Sequence, residues 1–152
     1  MASRMTSLSP RSSTSRMVNT FTPSYQYRPR IASDRKGNFV VVWSSYGQDG
    51  SYFGMFGQRF DAAGSPRGSE FAVNTYTIGG QGADYFTIQN HAVAMAPNGN
   101  FVVVWGSYRN DQDGDGGFGS VQGQRYDASG SALGPNFQVN TFTTGYETAP
   151  SV

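Results

Sequence analysis

Three short words recur along this chain, and their recurrence limits its possible folds more than any other feature. Val18-Asn19-Thr20 returns as Val73-Asn74-Thr75 and again as Val139-Asn140-Thr141. Gly37-Asn38-Phe39-Val40-Val41-Val42-Trp43 returns as Gly99-Asn100-Phe101-Val102-Val103-Val104-Trp105. Gly57-Gln58-Arg59-Phe60-Asp61-Ala62 returns as Gly123-Gln124-Arg125-Tyr126-Asp127-Ala128. A chain that repeats itself builds one structural unit more than once, and neighbouring units must stack to cover their apolar faces. The spacing between successive Val-Asn-Thr words grows from 55 to 66 residues, and the extra residues fall within 79–90 and 109–117, between the shared words. Insertions placed there mark loops, and the shared words mark strands. The units read as 18–72 and 73–138, with the start of a third, truncated unit over 139–152.

The runs at 39–43 and 101–105 are unbroken apolar, β-branched and aromatic stretches. That pattern suits a strand buried on both faces, where alternation disappears. Lys36-Gly37 and Asn98-Gly99 precede them, and Asn-Gly is the strongest two-residue hairpin signal because both positions take φ > 0. Short strands at 30–33 and 92–95 lead into those turns. After the tryptophans, 55–60 and 121–126 alternate more nearly in size and polarity. Asp61-Ala62-Ala63-Gly64 and Asp127-Ala128-Ser129-Gly130 follow, with Asp first and Gly fourth, the signature of a type I turn. Returning strands are expected at 70–75 and 136–141, with Phe71, Val73 and Thr75 pointing to one side.

Each unit thus predicts four antiparallel strands, and composition agrees. The chain has 20 glycines, 14% aromatic residues and only 14% charged residues, which favours an all-β fold of short strands. A lone four-stranded sheet is a poor core. Tandem four-stranded antiparallel sheets are the pattern of β-propeller blades, with a two-sheet β-sandwich as the alternative. A propeller needs about four blades to close, so it would draw on further copies of the repeat, in the same chain or in a homo-oligomer.

Several classes are excluded. There is no Cys and only one His, His91, so disulfides, Cys-ligated metals and multi-His centres are out. No run approaches the roughly 18 apolar residues of a membrane span. The net charge of +1 argues for no nucleic-acid partner, although five Arg and no acid precede Asp34. Residues 1–17 are a Ser- and Arg-rich leader without the apolar stretch of a secretory signal, and read as disordered.

The sequence Val-Asn-Thr-x-Thr, Gly-Asn-Phe-Val-Val-Val-Trp, Gln48-Asp49-Gly50, Gly-Gln-Arg-Phe-Asp-Ala over residues 18–152 resembles tandem repeats of very large bacterial secreted or surface proteins that carry RTX-type calcium-binding and cadherin-like modules. The resemblance implies an extracellular or cell-surface, propeller-like protein with an adhesive or scaffolding role and no catalytic residues to transfer. The usual opening Gly-x-Gln after Val-Asn-Thr-x-Thr is broken in the first unit, where Pro23-Ser24-Tyr25-Gln26 stands.

Five groups of residues are candidate sites. Asp111, Asp113 and Asp115 alternate before Gly116 like the first half of a calcium loop, but Gln122 stands where an EF-hand closes with Glu. Ca2+ is the cofactor they suit; a solvated acidic insertion is the plainer reading. Tyr46, Tyr52 and Tyr108, with Phe53 and Phe118, lie in the loops after the Trp strands, where rings among polar residues suit glycans or wedge between sheets. Arg59 and Arg125 recur in the same word, which points to a fixed partner such as Asp61, Glu70 or backbone carbonyls. Asn19, Asn74 and Asn140 are expected to bond nearby backbone at strand ends. His91 is the one candidate base for a hydrolase, and no Gly-x-Ser-x-Gly accompanies it. The reading is therefore a non-catalytic module, with a glycan-binding propeller and a hydrolase as alternatives.

Overall fold

A computed structural model describes residues 15–82, 91–108, 119–141 and 150–152. The described residues form an all-β protein. The first sheet, A, runs β1 (Gln26–Ser33), β2 (Phe39–Tyr46), β3 (Phe53–Phe60) and β4 (Phe71–Ala72), antiparallel and in that order. The second sheet, B, holds β5 (Gly80–Gln81), β6 (His91–Met95), β7 (Phe101–Tyr108), β8 (Ser120–Tyr126) and β9 (Phe137–Gln138), with β5 and β6 both on β7. Sheet B repeats the register of sheet A. Phe39 faces Phe60 as Phe101 faces Tyr126, and Gly57 faces Phe71 as Gly123 faces Phe137. Among the described residues no helix is long and apolar enough to cross a membrane.

The local chemistry explains the elements. Val40 to Ser45 are all buried, as an unbroken apolar run on a central strand requires. The returning strand is shorter than expected, because only Phe71 and Ala72 keep the ladder. The chain then swings from one sheet to the other while Val73 N–H donates to the Met55 carbonyl. The first strand is longer than expected and starts at Gln26. Its ladder slips between Tyr27 and Arg30, where Pro29 has no N–H and Arg28 takes φ 56°. A slip there costs little because β1 is an edge strand.

The Asn98-Gly99 turn differs from its expected form. Only Gly99 has positive φ, at 92°, and its N–H donates to the Ala96 carbonyl while Ala96 N–H bonds Asn100. The connection is a type I turn closed by a left-handed Gly. Asp34–Gly37, Asp61–Gly64 and Asp127–Gly130 have the same form, so the longer loop serves every hairpin at this end.

The sheets pack face to face, but through unlike faces. Sheet A contributes Val40, Val42 and Met55, and sheet B contributes Phe101, Val103 and Trp105. The counterparts of the sheet B set are Phe39, Val41 and Trp43, which lie on the other face of sheet A with Phe56 and Phe60, partly covered by Val18. The two sheets are therefore stacked head to tail rather than front to front.

Candidate functional site

Most of the repeated polar residues are spent on backbone. Asn74 Oδ1 accepts from Met55 N–H at 2.6 Å, and its Nδ2 donates to the Tyr76 carbonyl at 2.8 Å. Asn140 accepts from Val121 N–H at 2.8 Å, and Asn19 donates to the Phe21 carbonyl at 2.7 Å. For Asn74 and Asn140 the expected strand-end role thus extends to the neighbouring strand, while Asn19 bonds only nearby residues. Gln58 and Gln124 each bond two carbonyls in matching positions.

At the turn end, a cleft of about 370 Å³ lies between the hairpins of the two sheets, lined by Asp34, Asn38, Arg59, Arg67 and Asn98 among others. Arg59 crosses it. Its guanidinium donates to the Ala128 carbonyl at 2.8 Å and the Arg67 carbonyl at 3.2 Å, so of its expected partners the carbonyls are the ones it takes. Asp34 is held below the usual carboxylate range, first by the Asn38 side chain and also by the backbone N–H groups of Asn38 and Lys36. Asp127 is lowered in the same manner, first by Ser129. These carboxylates shape turns.

At the opposite end, aromatic rings form a row. Tyr25 stacks on Tyr27 at 5.6 Å, Tyr27 leans on Phe53 at 5.9 Å, and Phe53 and Tyr52 meet Tyr46 edge-on at 5.1 and 5.8 Å. Tyr25 is 57% exposed, and Tyr27 and Tyr52 are also exposed. The structure thus brings Tyr46 and Tyr52 together. It places Tyr108 elsewhere, in the interior at the end of β7, where added Cβ atoms on Gly106 or Gly119 would strike its ring. Tyr108 therefore stands apart from the exposed ring row. Tyr25 and Tyr27 were not among the expected site residues, although their spacing of two puts both on one face of a strand. Asp111, Asp113, Asp115 and Phe118 lie outside the described residues. Among the described residues no group of three His, Asp or Glu could hold a metal ion.

His91 is buried between the sheets. Its Nε2 meets the Arg28 carbonyl at 2.7 Å and its Nδ1 the Gly82 carbonyl at 3.1 Å. Burial pushes its pKa below the ordinary 6.5; the two carbonyls oppose that, and Arg30 and Arg28 reinforce it. With one nitrogen donating to a carbonyl, the other facing a second carbonyl and the ring enclosed, His91 joins the sheets and is badly placed as a general base. A folded-state pKa below the unfolded one means that the unfolded chain binds the proton more readily. Stability from His91 is complete above pH 6.5 and is lost as the pH falls from there towards the lowered value. The denaturation midpoint should therefore drop on acidification below 6.5, and His91→Gln should flatten that limb. An unchanged limb in the variant would refute the assignment.

On the outer face of sheet A, a pocket of about 280 Å³ is lined by Val18, Asn19, Gln26, Pro29, Val41 and Trp43. Trp105 Nε1 donates to Gln81 Oε1 at 3.1 Å. Its twin Trp43 Nε1 is buried with no partner among the described residues. Gln26, which occupies the place of Gln81, donates to the Pro23 carbonyl as Gln81 does to that of Ile78, but its Oε1 accepts from Asn19 Nδ2 in place of a tryptophan.

No family model matches the chain, and no curated protein matches it. Among solved structures, an endo-arabinase from Bacteroides thetaiotaomicron VPI-5482 is similar at 16% identity with a TM-score of 0.44, over 75% of this chain and 41% of that one. The chain thus spans less than half of that structure's length. A likeness of this size carries neither an activity nor a substrate to this chain.

Proposed function

We propose that the chain is a non-catalytic repeat module of a bacterial secreted or cell-surface protein, with an adhesive or scaffolding role and sheets stacked as propeller blades. The observation that supports it best is the head-to-tail contact of sheets A and B, because a contact between unlike faces can be extended sheet after sheet. The engagement of His91, Arg59 and the repeated Asn and Gln side chains with backbone supports it further. The test is a broad panel of polysaccharide and ester substrates. No turnover is expected; sustained turnover abolished by His91→Ala would favour the hydrolase alternative instead.

Calcium held by Asp111, Asp113 and Asp115 is part of the proposal, as a brace for the inserted segment that carries them. Millimolar Ca2+ should raise the thermal midpoint of the native chain and leave the triple Asp→Asn variant unmoved. Equal midpoints with Ca2+ and with chelator would remove calcium from the picture.

A second reading, glycan binding, rests on the ring row. Exposed, stacked Tyr25 and Tyr27 beside Tyr52 offer flat apolar faces of the kind a sugar ring can cover. A glycan array decides it: signals lost in Tyr25→Ala and Tyr52→Ala establish a lectin, and a blank array dismisses one.

A further inference from the structure

We propose that the pocket on the outer face of sheet A binds the acetamido group of an N-acetylhexosamine, with the Trp43 indole N–H donating to its carbonyl oxygen. The repeat supplies the comparison. Trp43 and Trp105 hold the same place in their sheets, opposite Phe56 and Gln122. Trp105 Nε1 donates to a carboxamide oxygen, Gln81 Oε1, at 3.1 Å. Trp43 is 3% exposed, and its Nε1 has no partner among the described residues. Gln26 sits opposite Ser45 as Gln81 sits opposite Ser107, so register assigns it to Trp43. It is committed elsewhere: its Nε2 donates to the Pro23 carbonyl at 3.0 Å, and its Oε1 accepts from Asn19 Nδ2. A buried N–H left without an acceptor costs stability, and native structures rarely keep one without a use.

The surroundings define the missing acceptor. Thr20 is tied to Glu70 through both its N–H and its hydroxyl, and Val18 packs against the outer face of sheet A. What remains there is a pocket of about 280 Å³, with Val18, Pro29 and Val41 as apolar walls and Asn19 and Gln26 beside Trp43. Asn74 and Asn140 use Oδ1 to accept from Met55 and Val121 N–H. Asn19 bonds through its Nδ2, so its Oδ1 has no donor among the described residues. Ser45 Oγ, two residues along β2 and so on the same face as Trp43, is also buried with no partner among the described residues.

One donor and one acceptor thus stand unpaired among apolar walls. Water would satisfy the polar pair and leave the walls wet, whereas a ligand that reproduces the hydrogen bonds and covers the walls gains affinity. An acetamido group does both. Its carbonyl oxygen takes the Trp43 N–H as the Gln81 carboxamide takes that of Trp105, its own N–H goes to Asn19 Oδ1, and its methyl covers Val18 and Val41. The pocket is small for a whole ligand, which suits one substituent of a larger molecule. The choice of a sugar as carrier rests on the glycan reading. The pocket does not, because none of its residues belongs to the ring row.

The chain has 2 tryptophans, so nuclear magnetic resonance of the full chain gives two indole N–H signals. Trp43→Phe identifies one by removing it, and circular dichroism verifies that the variant keeps its strands. N-acetylglucosamine should move the Trp43 signal and leave that of Trp105, whose N–H is already taken. Glucose, the same ring without the acetamido group, should move neither. N-methylacetamide, the group without the ring, should move the Trp43 signal again. By calorimetry, Asn19→Ala should bind N-acetylglucosamine about fivefold more weakly than the wild type, for one hydrogen bond lost. No movement with either acetamido probe overturns the proposal, as does an equal response to glucose or a response confined to Trp105. An unchanged affinity in Asn19→Ala overturns the assignment of the amide N–H. Movement with N-methylacetamide alone overturns the sugar as carrier and keeps the pocket, so failure of the glycan reading and failure of the site give different results.

Discussion

Replacing Trp105 with alanine should lower stability by about 3–5 kcal/mol, the usual cost of emptying a buried aromatic site. Trp105 is fully buried between the sheets beside Val103 and Tyr126. Its loss also strips the hydrogen bond from Gln81 Oε1, which is itself fully buried, and a stranded acceptor adds about 1–3 kcal/mol. Trp43→Ala is the control. Among the described residues that indole has no acceptor to strand, and it already borders a pocket, so its replacement should fall at or below the lower end of the same range. Urea titrations followed at unchanged slope measure both. Equal losses for the two tryptophans would show that the Gln81 bond contributes nothing.

Gly82→Val should be comparably damaging by another route. Gly82 has φ +73°, where a side chain costs about 1–2 kcal/mol. A Cβ there would drive into Met55 Sδ and come within 2.9 Å of Ser44 Oγ, and overpacking of that kind costs about 1–3 kcal/mol more. The clash lies between sheet B's first strand and the inner face of sheet A, so the expected effect is separation of the sheets as well as lower stability. Gly64→Val, also at positive φ but with nothing near its Cβ, isolates the backbone part. If the two substitutions cost the same, the close approach of Gly82 to Met55 is not a native constraint.

How much of this was legible depends on the range of the interaction involved. The 39–43 and 101–105 runs announced central strands because burial on both faces leaves no room for polar alternation. The Asp and Gly at first and fourth turn positions announced the turns because a carboxylate caps nearby N–H groups and only Gly takes the left-handed site cheaply. The site was less legible. Tyr46 and Tyr108 stand at the same place in the repeat, yet Tyr46 joins the ring row and Tyr108 is enclosed. Arg59 and Arg125 share one word, but one is pinned across a junction and the other lies over an exposed ring. Identical words cannot distinguish a position with a neighbouring sheet from a position without one.

By itself, the sequence determined the all-β class, the central strands, the hairpin turns and the need for sheets to cover one another, all consequences of side-chain period and backbone preference over a few residues. Tertiary structure alone decided which face of each sheet meets the next, which tryptophan finds an acceptor, and that His91 is enclosed between Arg28 and Gly82. Those outcomes depend on which chemically equivalent surfaces come into contact, and that is set by the packing of segments distant in sequence.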